Sequence, residues 1–319
     1  MSFPEDYYNV YSLVTNEKTL KHIKLTTIKL EDLMNKKFTR WSYATFLNKE
    51  EIYKHLEKSS LTSKIHSISV IKRFLKYKRR DNTELYRLYT IDLNELYETH
   101  NLDKEEQKKT SKENESWMEY KDMKKHLDSF IPSYLMAQEY AFYKFRDLII
   151  LSFYILQTPV RLTNLSELKF ISNPTQELRH YDTKYNYISK DGNKYKLVYN
   201  NYKTRKYLGQ LEFIIRNQLL INMLDKYLNY FFKDNKEEHF LFTKLDQKTK
   251  ISPVSLEQAI RKQGLFHFKK KDITLNLIRH SFFTGFFKTN PSIKEQRKVA
   301  IESGHKYTKS QSIQYARID

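Results

Sequence analysis

Five polar residues of the chain are of types that together suit chemistry on a phosphodiester. In chain order they are Arg161, Lys203, Arg279, His305 and Tyr315. The two guanidinium groups can each hold phosphate oxygens through parallel N–H groups, and they can stabilise the charge that develops during phosphoryl transfer. A tyrosine oxygen can attack the phosphorus and form a covalent 3′-phosphotyrosyl link. The set therefore predicts cleavage of a nucleic-acid strand by transesterification.

Two of these side chains, Lys203 and His305, suit the proton transfers and hydrogen bonds of such a reaction. A lysine can protonate the departing 5′ oxygen, and a histidine can donate a hydrogen bond to the phosphate. The charge of arginine is permanent, and the covalent link conserves the energy of the broken bond. We therefore predict that the reaction uses no metal ion, no ATP and no other cofactor.

The net charge of the chain indicates a polyanionic partner. Its 57 Lys and Arg residues against 38 Asp and Glu give a formal charge of +19, and such an excess is typical of nucleic-acid-binding proteins. A coding sequence rich in A and T would also raise the number of lysines, so the charge alone leaves both explanations open. Together with the five polar residues, it predicts a nucleic acid as the partner.

The use of cysteine and glycine excludes several classes of protein. The chain has no cysteine, which excludes disulfides, thiolate zinc sites and cysteine nucleophiles. Its 5 glycines are never closer than seventeen positions, which excludes a glycine-rich phosphate loop, and with it Walker-type NTPases, Rossmann dinucleotide-binding proteins and kinases.

The sequence also predicts where the protein acts. No apolar run is long enough to span a bilayer, and the first ten residues lack the features of a signal peptide. We expect a soluble intracellular protein that works at DNA and has no membrane partner. The abundance of Lys, Asn, Tyr and Ile is typical of a virus or mobile element with an AT-rich genome, for which the host nucleus, the cytoplasm or a viral factory are all open locations.

Composition divides the chain into two domains joined by a linker. Residues 103–116 include no apolar residue and predict a hinge or a solvated helix end. We expect a helical DNA-binding domain over residues 1–102 and a second domain over residues 117–319. In the first, LTSKIHSISVIKRFLKYKRR predicts an amphipathic helix with a basic polar side, which fits DNA contact and a solvated face equally well. The candidate DNA contacts are Lys64, Lys72, Arg73 and Lys76.

The pattern of the second domain assigns each candidate residue to a defined element. An apolar helix over residues 145–156 should end before Pro159, because proline cannot continue it, and Arg161 follows at once. The segments YNYIS, KYKLVYNN and YLGQLEFII predict a three-stranded antiparallel sheet with Lys203 in its second turn. DITLNLIRHSFFTGFFK predicts a helix that carries Arg279.

A last helix should place His305 immediately beyond its end. In NPSIKEQRKVAIESGH, Asn290 is expected as the cap, Pro291 at the first helical position and Gly304 as the stop. The predicted fold class is mainly α, with a small three-stranded antiparallel β-sheet in the second domain.

The motifs around the five residues resemble, in the same order, those of the tyrosine recombinase or phage integrase family. PVRLTNL is similar to the family's first box with Arg161, YKTRK to its lysine turn with Lys203, NLIRH to its second box with Arg279, SGH to its Leu-Gly-His box with His305, and SIQYARI to its nucleophile box with Tyr315. The resemblance implies a site-specific DNA recombinase in which these five residues are catalytic. It also implies double-stranded DNA as the partner and a two-domain clamp, with a helical core-binding domain and a catalytic domain, that assembles as a homotetramer on paired DNA sites.

Three departures from the family pattern bear on activity. Asn276 stands where the second box usually has histidine, and an amide can bind a phosphate oxygen but cannot exchange a proton near neutral pH. Asn164 replaces the usual glutamate of the first box, and the ten positions from His305 to Tyr315 are one more than expected. A catalytically degenerate, integrase-derived DNA-binding protein is therefore one alternative. A type IB topoisomerase, which relaxes supercoiled DNA with a similar set of residues, is the other.

Overall fold

The computed structural model describes residues 17–35, 41–106, 108–233, 238–305 and 316–317. The chain forms two compact units, Met1–Glu106 and Gln107–Asp319. The division into domains over residues 1–102 and 117–319 with a linker between them stays a prediction. None of the helices within the described ranges is long and apolar enough to cross a membrane.

The described part of the first unit is helical. Its elements are α1 (Glu17–Leu33), a 3-10 turn (Tyr43–Phe46), α2 (Lys49–Leu56), α3 (Leu61–Tyr77) and α4 (Glu84–Glu105). In its core Trp41, Phe46 and Phe74 meet edge to face, with ring centroids 5.3 to 5.8 Å apart, which is the arrangement that aromatic quadrupoles favour. The predicted amphipathic basic helix is α3, whose Ile68 and Ile71 are fully buried.

The second unit adds further helices around a sheet. They are α5 (Ser111–Ser116), α6 (Tyr120–Leu135), α7 (Phe142–Ile155), α8 (Leu162–Ser166), α9 (Arg205–Leu208), α10 (Gln218–Phe231), α11 (Pro253–Phe268), α12 (Leu275–Lys288) and α13 (Ile293–Glu302), with a 3-10 turn at Leu178–His180. Helix α7 is buried continuously from Asp147 to Ile155 and packs against α10 and α11. A helix that is apolar on all sides has to lie inside the unit, so the predicted central helix is confirmed, and it ends before Pro159.

The sheet is larger than the sequence predicted. It has five strands in the order β4-β3-β2-β1-β5, where β1 is Leu168–Ile171, β2 is Asn186–Asp191, β3 is Lys194–Tyr199, β4 is Leu211–Ile215 and β5 is His239–Phe240. The expected antiparallel strands are β2, β3 and β4. The prediction of a three-stranded, purely antiparallel sheet was nevertheless wrong, because β1 pairs parallel to β2 and antiparallel to β5. Strands of four and two residues are too short to show the alternation by which a strand is predicted.

The start of α13 also differs from the prediction. The helix begins at Ile293 rather than at Pro291, and its cap is Ser292, not Asn290. Ser292 and Glu295 form a capping box, in which each side chain bonds the other residue's backbone N–H. The predicted stop holds, because Gly304 follows the helix end with a φ of +70°, which glycine adopts without strain.

The contact of α11 with the segment before α12 yields a test of the packing. A Cβ atom at Gly264 would lie 2.5 Å from Cβ of Ile273, whereas a Cβ atom at Gly285 would meet nothing within 4 Å. Gly264→Ala should therefore lower the free energy of unfolding by about 1–3 kcal/mol. The matched change Gly285→Ala, also inside a helix, should raise it by about 0.5–1 kcal/mol.

Denaturant unfolding can be followed in this unit alone. The chain has 2 tryptophans, so a Trp41→Phe background leaves Trp117 as the reporter of the second unit. Equal stability of the Gly264→Ala and Gly285→Ala proteins would show that α11 can move away from Ile273 at no cost.

Candidate functional site

A buried arginine and a buried histidine make direct contact at the centre of the candidate site. Arg279 is 2% exposed and lies on α12, which Thr274 caps as predicted by accepting a hydrogen bond from the Leu277 backbone. Its Nη1 donates to the carbonyl of Pro159 over 2.7 Å, and its Nη2 lies 2.5 Å from Nε2 of His305. A guanidinium can only donate, so Nε2 of His305 accepts this hydrogen bond and the imidazole proton resides on Nδ1.

The pKa of His305 shows that Arg161, Lys203 and Arg279 lie close enough to the imidazole to act on it electrostatically. Burial lowers the pKa of His305, and the charges of Arg279, Arg161 and Lys203 lower it further, to about 3. The imidazole is therefore neutral near pH 7, and its ring stacks on Phe283 with centroids 5.6 Å apart. A neutral imidazole can still donate a hydrogen bond to an anion through its N–H.

Arg161 lies at the N-terminal end of α8, where the chain leaves the central helix. It is half-buried, and among the described residues its buried Nε has no hydrogen-bond partner. The side-chain oxygen of Asn164, which is 2% exposed, likewise lacks a described partner. A buried donor without an acceptor costs about 1–3 kcal/mol. An anion beside Arg161 would remove that cost.

Lys203 lies in the connection between β3 and β4, as the sequence predicted, and its side chain is exposed. The next residue ties this turn to the histidine, because Oγ1 of Thr204 donates to the carbonyl of Gly304 over 2.6 Å. A second bond acts in the same way: Oγ1 of Thr158 donates to a carboxylate oxygen of Glu302 over 2.8 Å. These side chains position the site.

The positioning bonds were missed in the sequence. Thr158 and Thr204 stand next to motif residues, but Glu302 and Gly304 are more than 90 residues further along the chain. The Lys-Thr pair in the turn is the one signal that could have pointed to Thr204. Nothing in the pattern of α13 indicates that Glu302 faces the loop before Arg161.

The other predicted site residues are placed as follows. Asn276 is exposed on α12, one turn before Arg279. Tyr315 lies outside the described residues. On α3, Lys64 and Lys72 are half-buried, and Arg73 and Lys76 are exposed; the ammonium group of Lys72 lies 5.0 Å from the ring centroid of Tyr86.

The arrangement is suited to hold an anion rather than a cation. Two guanidinium groups and an ammonium group act on one neutral imidazole, and the described charged groups that shift its pKa in either direction are all positive. Among the described residues, no cluster of three or more His, Asp or Glu side chains is placed to hold a metal ion. A phosphate group offers an acceptor oxygen for the Nε of Arg161, which has no partner among the described residues.

Comparisons with known proteins give little beyond this geometry. No protein-family model matches the chain, and no curated protein matches it. The chain is similar to a solved structure described as the crystal structure of XerA recombinase, with 16% identity and a TM-score of 0.40, over 99% of this chain and 94% of that chain. We therefore infer function from the contacts of the site itself.

The lowered pKa of His305 predicts how acid affects stability. In the unfolded chain the histidine titrates near its ordinary value of 6.5, but in the folded chain it titrates near 3. The unfolded state therefore binds the proton at a higher pH than the folded state does. His305 thus lowers the free energy of unfolding as the pH falls below about 6.5. In His305→Asn the loss of unfolding free energy between pH 7 and pH 5 should be smaller by about 2 kcal/mol.

The measurement is a denaturant titration at each pH with Trp117 as the reporter. The control is His180→Asn, which removes an exposed histidine of the same unit. We expect the control to keep the pH dependence of the parent. An identical pH dependence in His305→Asn would mean that His305 is not buried beside positive charges.

Proposed function

We propose that this chain is a site-specific DNA recombinase or integrase that cleaves and rejoins DNA through a covalent 3′-phosphotyrosyl intermediate at Tyr315. The observation that supports it best is the contact of buried Arg279 with His305 in the field of Arg161 and Lys203. Residues from separate parts of the sequence meet there, and the described charges that shift the pKa of His305 are those of Arg279, Arg161 and Lys203, which are all cations. A phosphodiester is the substrate group that fits such a set.

Each residue has a role in the proposed step. Arg161 and Arg279 hold the non-bridging oxygens, and His305 donates through its N–H. The oxygen of Tyr315 forms a bond to phosphorus as its proton passes to solvent, the bond from phosphorus to the 5′ oxygen breaks, and Lys203 gives that oxygen a proton. Attack by a 5′ hydroxyl on the phosphotyrosine reverses the step. No metal ion or nucleotide enters it.

The proposed partner is double-stranded DNA. The formal charge of +19 favours it, and we propose that the basic side of α3 contacts the phosphate backbone while Asn276 binds a phosphate oxygen near Arg279. Exchange of four strands requires four nucleophiles, so we propose a homotetramer on paired sites.

Trapping on a nicked duplex tests the chemistry. When the short 5′ product diffuses away, rejoining is blocked and the adduct accumulates, so mass mapping can identify the linked residue. Tyr315→Phe should abolish the adduct and leave DNA binding intact, whereas Tyr307→Phe, the matched control, should keep it. Adduct formation that survives Tyr315→Phe would place the nucleophile elsewhere, and no adduct from the parent protein would reject catalysis in favour of a DNA-binding role.

The arginines can be tested in the same assay. Arg161→Ala should slow adduct formation by about 10³-fold or more, because a transition-state charge loses its partner. Arg161→Lys keeps the charge but loses the planar fork, and it should restore only part of the rate. Arg279→Ala should be as slow, but Arg279 also bonds Pro159 and so affects folding. A rate unaffected by Arg161→Ala would remove the phosphate clamp from the proposal.

Relaxation of a supercoiled plasmid separates the recombinase from a topoisomerase. A recombinase should exchange strands between two copies of its site and relax plasmids poorly as a monomer. Efficient relaxation by monomeric protein, with no exchange between sites, would favour the type IB topoisomerase.

Salt dependence tests the role of α3. The logarithm of the binding constant should fall linearly with the logarithm of the salt concentration, and loss of one phosphate contact reduces the slope by about 1. Arg73→Ala and Lys76→Ala should each show this reduction. Arg87→Ala is the control, because this exposed arginine already pairs with Glu84. Unchanged slopes in both α3 variants would mean that this helix faces solvent.

A further inference from the structure

A buried asparagine bonds the two parts of the chain that carry Arg161 and Lys203. Asn186 is the first residue of β2, and its exposure is 0%. It lies at the end of the sheet where β3 stops at Tyr199 and the connection to β4 begins. In the sequence it stands in YNYIS, which predicts a strand and no part of a site.

The side chain of Asn186 uses its full hydrogen-bonding capacity. Its Nδ2 donates to the carbonyl of Asn164 over 2.9 Å and to the carbonyl of Asn201 over 3.1 Å. Its Oδ1 accepts from the backbone N–H groups of Asn200 and Asn201, each over 2.8 Å. A side-chain amide has two donor hydrogens and two acceptor lone pairs, so these four bonds fix both its position and its orientation.

The bond to Asn164 reaches the short helix that follows Arg161. Helix α8 has only 5 residues, and the last four carbonyls of a helix have no partner within it. Asn186 supplies a donor for one of these carbonyls, and its own backbone N–H donates to the carbonyl of Glu167 over 3.0 Å. The turn of chain that presents Arg161 is therefore tied to the start of β2.

The bonds to Asn200 and Asn201 reach the turn that carries Lys203. Both residues lie beyond the end of β3, so Asn186 provides their backbone groups with the bonds that a neighbouring strand would otherwise supply. Lys203 follows Asn201 by two positions, and two residues of chain span at most about 7 Å. Asn186 thus limits where the turn can place the ammonium group of Lys203.

The residues on both sides of Lys203 are also held in place. Tyr202 is 7% exposed, and its hydroxyl donates to the carbonyl of Gly209 over 2.5 Å. Thr204 donates to the carbonyl of Gly304. The side chain of Lys203 is exposed between these two neighbours. The turn therefore fixes the backbone and leaves the ammonium group accessible to a substrate.

We propose that Asn186 is a positioning residue that holds the Lys203 turn against α8, so that Lys203 and Arg161 act on the same phosphate. This inference rests on the proposed function, in which Lys203 gives a proton to the departing 5′ oxygen. An amide is required at this position, because an aspartate of the same shape keeps the two acceptor sites but loses both donors. Loss of these donors should therefore affect mainly the step that needs the proton of Lys203.

A leaving group that needs no proton separates positioning of Lys203 from a general structural defect. In a second nicked duplex, sulfur replaces the departing 5′ oxygen, and a thiolate leaves unprotonated because a thiol has a pKa of about 8.5. On the oxygen duplex, Asn186→Asp should slow adduct formation by about 100-fold, because a misplaced catalytic group loses its alignment. On the sulfur duplex the loss should be about 3-fold or less, because no proton donor is needed.

Four control variants define the two possible patterns. Lys203→Ala should be slow on the oxygen duplex and recover on the sulfur duplex, whereas Arg161→Ala should be slow on both, because either leaving group needs the phosphate clamp. Asn217→Asp is the matched exchange, since an aspartate can keep the cap that Asn217 gives to α10, and it should keep the parental rates. Gly264→Ala controls for lost stability and should keep the parental ratio of the two rates.

The outcomes separate this inference from the proposed function. An equal loss on both duplexes in Asn186→Asp, or a parental rate on the oxygen duplex, would overturn the role of Asn186 if Lys203→Ala recovers on sulfur. Equal losses in Lys203→Ala would remove the proton donor and the inference with it. No adduct from the parent protein on either duplex would instead reject the proposed function. If Asn186→Asp does not fold, Asn186→Ser keeps one donor and is tested in the same way.

Discussion

Arg279 is the residue on which the candidate site depends. Its guanidinium is almost fully buried, and its charge has to be satisfied by hydrogen bonds. One goes to the carbonyl of Pro159, just before Arg161, and another joins it to His305. A single side chain thus links the loop after the central helix, α12 and the segment after α13. The hydroxyl groups of Thr158 and Thr204 strengthen the same junction from either side.

This construction places the cations Arg161, Lys203 and Arg279 around one imidazole. The fold lessens the repulsion by keeping His305 neutral, since burial and the nearby cations lower its pKa. The buried Nε of Arg161 has no partner among the described residues, and a bound anion would supply an acceptor for it. The ion pair of Glu113 with Arg317 is the opposite case, in which two half-buried charges already satisfy each other.

Local pattern and long-range contact explain what could be predicted and what could not. The central helix and the cap at Thr274 follow from neighbouring residues, and both were predicted. Ser292 and Asn290 are both good caps, and only the capping box with Glu295 decides between them. Strands β1 and β5 exist because they pair with partners elsewhere in the chain, so their few residues show no pattern of their own.

The sequence by itself determined the chemical types of the candidate residues, the helical elements that carry them and the excess of positive charge, because these depend on composition and on spacing over a few turns. Tertiary structure decided that the charges of Arg161, Lys203 and Arg279 act on His305. It also decided that Glu113 pairs with Arg317. Those contacts join residues that are tens to hundreds of positions apart. The physical reason is that burial, pairing and pKa depend on distance in space, which packing sets.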